Sequence, residues 1–160
     1  MLETVEEFLA HAIQLEREAA DRFGQLADAM KSSGNAEVAN LFAQLAHYSR
    51  LHLKDARQRS GFRDIPELEP GDFSWPDEES PEAAAIWAAD PLIGADEALE
   101  TALAAELAGL SYYAEVLEKA TDPEIIAFAK EFVEEESGHV AELRRWIAAR
   151  AEGRKVTLNI

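Results

Sequence analysis

No cysteine occurs anywhere in the 160 residues. That absence excludes a disulfide framework, a thiolate zinc site, an iron–sulfur cluster and a cysteine nucleophile. Basic residues are also few: 15 Lys and Arg stand against 32 Asp and Glu, a formal net charge of −17. Nucleic acid and anionic membranes both need clustered cations, so neither is an expected partner. A field of this sign attracts cations, although a solvated acidic surface accounts for it equally simply. Long apolar runs are missing as well. The longest, residues 83–89, falls far short of the roughly 20 residues a membrane-spanning helix needs. The opening Met1-Leu2-Glu3-Thr4-Val5-Glu6-Glu7 lacks the basic region and apolar core of a secretion signal. A soluble protein is expected, with the cytoplasm as its compartment.

Glycine (8) and proline (6) are scarce, and Ala, Leu and Glu dominate a chain that is 48% apolar. That mixture favours helix over strand and suffices for a sizeable core. Four long helices are predicted, in two pairs. The first covers residues 4–31, opened by Thr4 and Glu7 at capping-box spacing and broken at Ser32-Ser33-Gly34-Asn35. The second covers 35–60 and stops at Gly61; the third covers 95–120. Thr121-Asp122-Pro123 then places a proline to open the fourth, which runs to about residue 152 before Gly153. Residues 1–152 are therefore read as one bundle and 153–160 as a C-terminal tail, a candidate clip onto a partner subunit.

Between the pairs lies a crossover, residues 61–93, holding five of the six prolines. Long irregular connections are rare in compact domains. Extended chain covers about 3.3 Å per residue, so roughly thirty residues can run the ~40 Å length of such a helix. Ser80-Pro81-Glu82 is placed to open a short helix through Trp87. Phe62, Phe73, Trp75 and Trp87 are expected to pack along the bundle or against a second subunit. One long crossover between two antiparallel hairpins is the connectivity of a ferritin-like all-α four-helix bundle.

Each predicted helix carries an apolar seam at spacings of three and four. The first reads Val5, Leu9, Ala12, Glu16, Ala19, Phe23, Leu26, Met30; the second Val38, Phe42, Leu45, Ser49, His52, Ala56. The third reads Leu92, Ala95, Leu99, Ala102, Glu106, Gly109, Tyr113, Val116, and the fourth Ile125, Ala129, Phe132, Glu136, His139, Leu143, Trp146. Every seam is interrupted near its middle by Glu, His or Ser. Charged groups are rarely buried unless paired or bound to metal. The heights coincide. Folding about Gly34 sets Glu16 opposite residue 51, and folding about Thr121 sets Glu106 opposite residue 136. Glu136-x-x-His139 alone is weak evidence in so glutamate-rich a chain. Beside Glu106, and facing Glu16 and His52, it matches the arrangement by which carboxylate–histidine bundles hold a pair of metal ions. The spacing of three puts Glu136 and His139 on one helix face, within reach of one ion. The competing reading is a buried polar network without metal, but no Lys or Arg lies on the seams at this level.

The segments Leu41-Phe42-Ala43-Gln44-Leu45-Ala46-His47-Tyr48-Ser49-Arg50-Leu51-His52 and Phe132-Val133-Glu134-Glu135-Glu136-Ser137-Gly138-His139 resemble the second and fourth helices of rubrerythrins, a branch of the ferritin-like superfamily. Glu16, Ala19 and Phe23, and likewise Glu106, Gly109 and Tyr113, resemble the paired helices that carry lone glutamates. The two hairpins also read as a degenerate repeat, Glu16 matching Glu106 and His52 matching His139. The resemblance covers the four helices and implies two iron ions reacted with dioxygen or peroxide, in an oxidoreductase of peroxidase or ferroxidase type and in a homodimer. The implied metal ligands are Glu16, His52, Glu106, Glu136 and His139, with manganese or zinc as alternative ions.

Three departures qualify it. Ser49 stands where the family pattern wants a glutamate, with Asp55 as a possible substitute carboxylate. The cysteine-bearing rubredoxin module is missing, and Gly109 replaces a further glutamate common in the third helix. A non-catalytic metal-binding bundle and a structural dimer with a relic polar core therefore stay open. Tyr113 and Tyr48 are candidates for contact with the ligands or for core packing. His11 and His47 are expected on the surface.

Overall fold

The computed structural model describes residues 4–61, 63–76, 80–81 and 94–154. They form an all-α four-helix bundle: α1 (Val5–Ser32), α2 (Ala36–Ser60), α3 (Ala95–Lys119) and α4 (Pro123–Ala151). The boundaries fall within one residue of those expected, because each end is written in local chemistry. Thr4 Oγ1 accepts the Glu7 N–H at 3.1 Å, the side-chain half of a capping box. Asp122 caps α4 by accepting the Glu124 N–H at 2.8 Å, with Pro123 in the first turn. Gly34 sits at φ +85° between α1 and α2, and Gly61 at +57° after α2, a backbone region that disfavours side chains with Cβ.

Short turns make α1–α2 and α3–α4 antiparallel hairpins. Arg150 near the end of α4 reaches Asp96 at the start of α3 (2.9 Å) and Glu37 at the start of α2 (3.3 Å). The starts of α2 and α3 therefore lie at the same end, and α2 and α3 run in the same direction. The chain leaves α2 at one end and enters α3 at the other, so the crossover spans the bundle's length. Its contacts march down α1. Arg63 pairs with Glu6 and with Glu124, Ser74 meets His11, and Ser80 donates to Glu18. One turn of 3₁₀-helix, Pro70–Asp72, is the regular structure described within it. The expected helix beyond Ser80, and the aromatics Phe62 and Trp87, lie outside the described residues, as does the tail from 155 onward.

The core is in two parts. One apolar cluster centres on Phe23, Met30, Phe42, Leu99, Leu143 and Trp146. The other centres on Phe8, Leu9, Leu15, Tyr113, Ile125 and Phe132. No described helix is long and apolar enough to cross a membrane.

His11, expected on the surface, is instead buried at 2% exposure. It lies beside the Phe8 and Leu15 positions on α1, and residues 73–75 of the crossover cover it. The His11 ring meets Phe73 and Trp75 edge-on, with centroids at 5.1 and 4.8 Å. Its Nδ1–H donates to the Glu7 carbonyl and its Nε2 accepts the Ser74 N–H, both at 2.8 Å. These partners fix a neutral ring, and burial, the largest influence on it, holds its pKa below the ordinary 6.5. Its stabilising contribution is therefore complete above the unfolded-state value and is lost as pH falls toward the lower folded value. His11→Leu is expected to destabilise the protein by about 1–3 kcal/mol at neutral pH, measured by denaturant unfolding. The gap between wild type and variant should narrow from about pH 8 to about pH 5; a constant gap would mean that the ring contributes packing alone.

Candidate metal centre

The five residues singled out from the seam interruptions converge in the structure at one level, between the two apolar clusters. Glu16 comes from α1, His52 from α2, Glu106 from α3, and Glu136 and His139 from α4. Glu16, Glu106 and Glu136 are 1%, 2% and 2% exposed and His139 is 8%; His52 lies partly buried at the edge. His52 Nδ1 faces Glu16 Oε1 at 3.8 Å, and His139 Nδ1 faces Glu106 Oε2 at 3.4 Å. The two imidazoles stack with centroids 4.9 Å apart and planes inclined by 7°. One donor atom each from His52, Glu136 and His139 lies within 4.8 Å of the others. Metal–ligand bonds of about 2.1 Å set donors roughly 3–4 Å apart, so small side-chain rotations close these three on one cation.

The donors are poorly satisfied by one another. Glu16 Oε1, His52 Nδ1 and Glu106 Oε2 are buried without a hydrogen-bond partner, since the facing groups stand too far away or at poor angles. Neither Glu16 nor Glu106 has a Lys or Arg partner among the described residues. Burial, the largest influence, raises the pKa of Glu16 against the opposing pull of His52. Burial acts the same way on Glu106, yet contact with Glu136 and His139 outweighs it and leaves that pKa below the usual range. His52 is raised: burial opposes the proton, but Glu16, Glu135 and Glu106 together outweigh it. Buried carboxylate oxygens and imidazole nitrogens without partners form a donor set that suits a divalent transition metal such as iron, manganese or zinc. The residues present fit such an ion.

The surroundings separate the remaining candidates. Ser49 is buried on α2 at 4% exposure beside the site, and a serine hydroxyl brings no charge. Asp55 is exposed, on the outer face of α2. Tyr48 is half-buried and packs against His139, ring centroids 6.2 Å apart. Tyr113 belongs to the apolar cluster, stacked on Phe132 at 4.9 Å. His47 is exposed as expected. The residue that seam reading missed is Glu135, whose Oε2 stands 3.9 Å from His52 Nε2. It is off the seam and next to Glu136, so its only sequence signal is the Glu131–Glu135 spacing of four opposite Arg59, which pairs with both.

No family model matches the chain, and no curated protein does. Among solved structures, it is similar to an uncharacterized conserved protein from Magnetospirillum magnetotacticum, at 34% identity and a TM-score of 0.74. The match covers 99% of this chain and 100% of that one.

A buried carboxylate oxygen without a hydrogen-bond partner is unfavourable, and replacing buried ionic groups by apolar groups of similar volume is often neutral or stabilising, by up to about 4 kcal/mol. Glu16→Met is accordingly expected to raise the unfolding temperature of chelator-treated protein and to diminish the further rise produced by added metal. Thermal unfolding with and without chelator reads both. Destabilisation of the chelated variant would show that Glu16 serves the fold itself.

Proposed function

This chain belongs to the family of the conserved Magnetospirillum protein, and we propose that it is a ferritin-like metal protein binding a pair of transition-metal ions, iron first, at its central polar layer. One observation carries the reading: five carboxylate and imidazole groups from four helices meet in the core, and three of their buried atoms have no hydrogen-bond partner. Without a cation the arrangement is costly, because each unpaired buried charge is penalised by several kcal/mol. With divalent ions the same groups become ligands. Glu16 and Glu106 would serve as ligands from the helices that bring one ligand carboxylate each, and His52, Glu136 and His139 would complete the set that holds the ions. Bound iron supplies one-electron chemistry between its ferrous and ferric states, with dioxygen or peroxide as the oxidant. The protein's own contribution is to hold the ligands in place and keep bulk water out. The apolar clusters above and below do the second.

A second reading, binding or storage without turnover, rests on Ser49. Two divalent ions carry four positive charges, against three carboxylates in the layer. An uncompensated charge leaves the pair weaker and harder to oxidise. Metal analysis of protein purified without chelators is expected to find about two ions per chain. Less than about 0.2 equivalents of any transition metal would remove the metal reading altogether. Mixing ferrous iron and dioxygen or peroxide with metal-free protein, and following the disappearance of ferrous iron, separates catalysis from binding. Ser49→Glu should raise affinity or turnover by tenfold or more, the order expected from one added charged ligand. If it changes neither, α2 owes the site no carboxylate.

A further inference from the structure

Residues 73–76 of the crossover bridge α1 and α3. Ser74 donates its N–H to His11 Nε2 at 2.8 Å. Phe73 and Trp75 stack on each other, centroids 5.4 Å apart, and both meet the His11 ring edge-on. Trp75 also packs against Tyr112 of α3, at 5.2 Å. The same segment walls a cavity of about 320 Å³, lined by Ser74, Trp75 and Pro76 from the crossover and by Tyr112, Val116 and Ile125 from α3 and α4.

The partners of the His11 ring fix the role of each nitrogen. A backbone N–H only donates and a carbonyl only accepts, so the ring keeps its proton on Nδ1, toward Glu7, and offers a lone pair at Nε2, toward Ser74. A second proton must enter at Nε2. There it meets the Ser74 N–H, donor against donor, and the flanking Phe73 and Trp75 rings bring no acceptor oxygen. A charged His11 therefore cannot keep the Ser74 contact. Among charged groups, Glu7 on α1 itself favours the proton and the α-amino group slightly opposes it. The crossover presents two aromatic rings and a backbone amide, and α3 presents Tyr112, a neutral phenol behind Trp75. No charged group of α2, α3 or α4 among the described residues acts on the ring.

We propose that residues 73–76 are a pH-released strap: a proton at His11 Nε2 breaks the Ser74 bond, the segment lifts from α1 and Tyr112, and the cavity opens while the four helices stay folded. Trp75 packs on the second apolar cluster from its margin, so its departure uncovers that cluster without dividing it. Local opening of this kind needs less free energy than global unfolding. The released ring titrates at its ordinary value of 6.5 and the closed, buried ring below it. Opening is therefore favoured as pH falls, by about tenfold per pH unit between the two values. The strap is independent of the metal reading, since none of its groups belongs to the polar layer.

Amide hydrogen exchange on the full-length protein tests this, read by NMR at Ser74 and at amides in the middle of each helix. It is measured at about pH 7.5 and about pH 5.5, with rates corrected for the intrinsic effect of pH. Wild type should lose protection at Ser74 by about three- to tenfold at the lower pH, while the helix amides keep theirs. His11→Gln retains a side-chain acceptor oxygen but does not titrate, so its Ser74 protection should be the same at both pH values. It also retains every other titrating group, which separates His11 from them. His11→Leu should leave Ser74 poorly protected at either pH. Equal protection of Ser74 at the two pH values in wild type overturns the strap. So does a pH-dependent loss in His11→Gln that matches wild type, or a loss at Ser74 matched by equal loss in all four helices. If His11→Leu does not fold, wild type and His11→Gln decide the question.

Discussion

Burying three carboxylates and two imidazoles in the middle of a four-helix core is the constraint on which the rest of this protein depends. Charge held away from water is unfavourable by several kcal/mol per group unless something of opposite sign meets it. Among the described residues Glu16 and Glu106 find no Lys or Arg, and the two histidines that face them stand at distances or angles that make poor hydrogen bonds. The apolar seam must then stabilise the bundle from both sides of the layer. That accounts for the division of the core, with Phe23, Phe42 and Trp146 on one side and Phe8, Tyr113 and Phe132 on the other. A fold able to carry such a layer is one whose two ends are each well packed.

The crossover belongs to the same solution. It seals α1 at His11, and α1 is accordingly the most extensively buried of the four helices. The helix that brings Glu16 to the layer is thus covered on its outer face as well as its inner one. Ser74 and Trp75 hold to His11 in one half while Arg63 and Ser80 attach near the start and middle of the same helix.

Much of this was legible in the sequence, for reasons that can be traced to particular residues. Helix ends were marked by Thr4, Gly34, Gly61 and Asp122-Pro123, whose preferences are local. The site was legible because burial is periodic: a Glu or His at a position owed to Leu or Ala is visible without coordinates, and four such positions agreed in height. His11 and Glu135 escaped because neither sits on a seam. His11 is buried by a connection with no period of its own, so nothing in α1 announces its cover. Glu135 sits beside a seam position, and its relation to His52 depends on how α4 is turned against α2, which no local pattern encodes.

The two hairpins are related but not equal, and the inequality has a chemical direction. Glu106, Glu136 and His139 bring two carboxylates and an imidazole from α3 and α4; Glu16 and His52 bring one of each from α1 and α2. Tyr48 packs against the His139 ring, whereas Glu135 and Arg59 stand at the His52 edge; the two imidazole side chains are almost equally exposed, at 11% and 12%. A cation held mainly by the second hairpin would be better neutralised. One held mainly by the first would depend more on charge placed outside the ligand set. Ser49 brings no carboxylate to the first hairpin, the half that already supplies fewer of them, so added negative charge at that position acts where the layer has least.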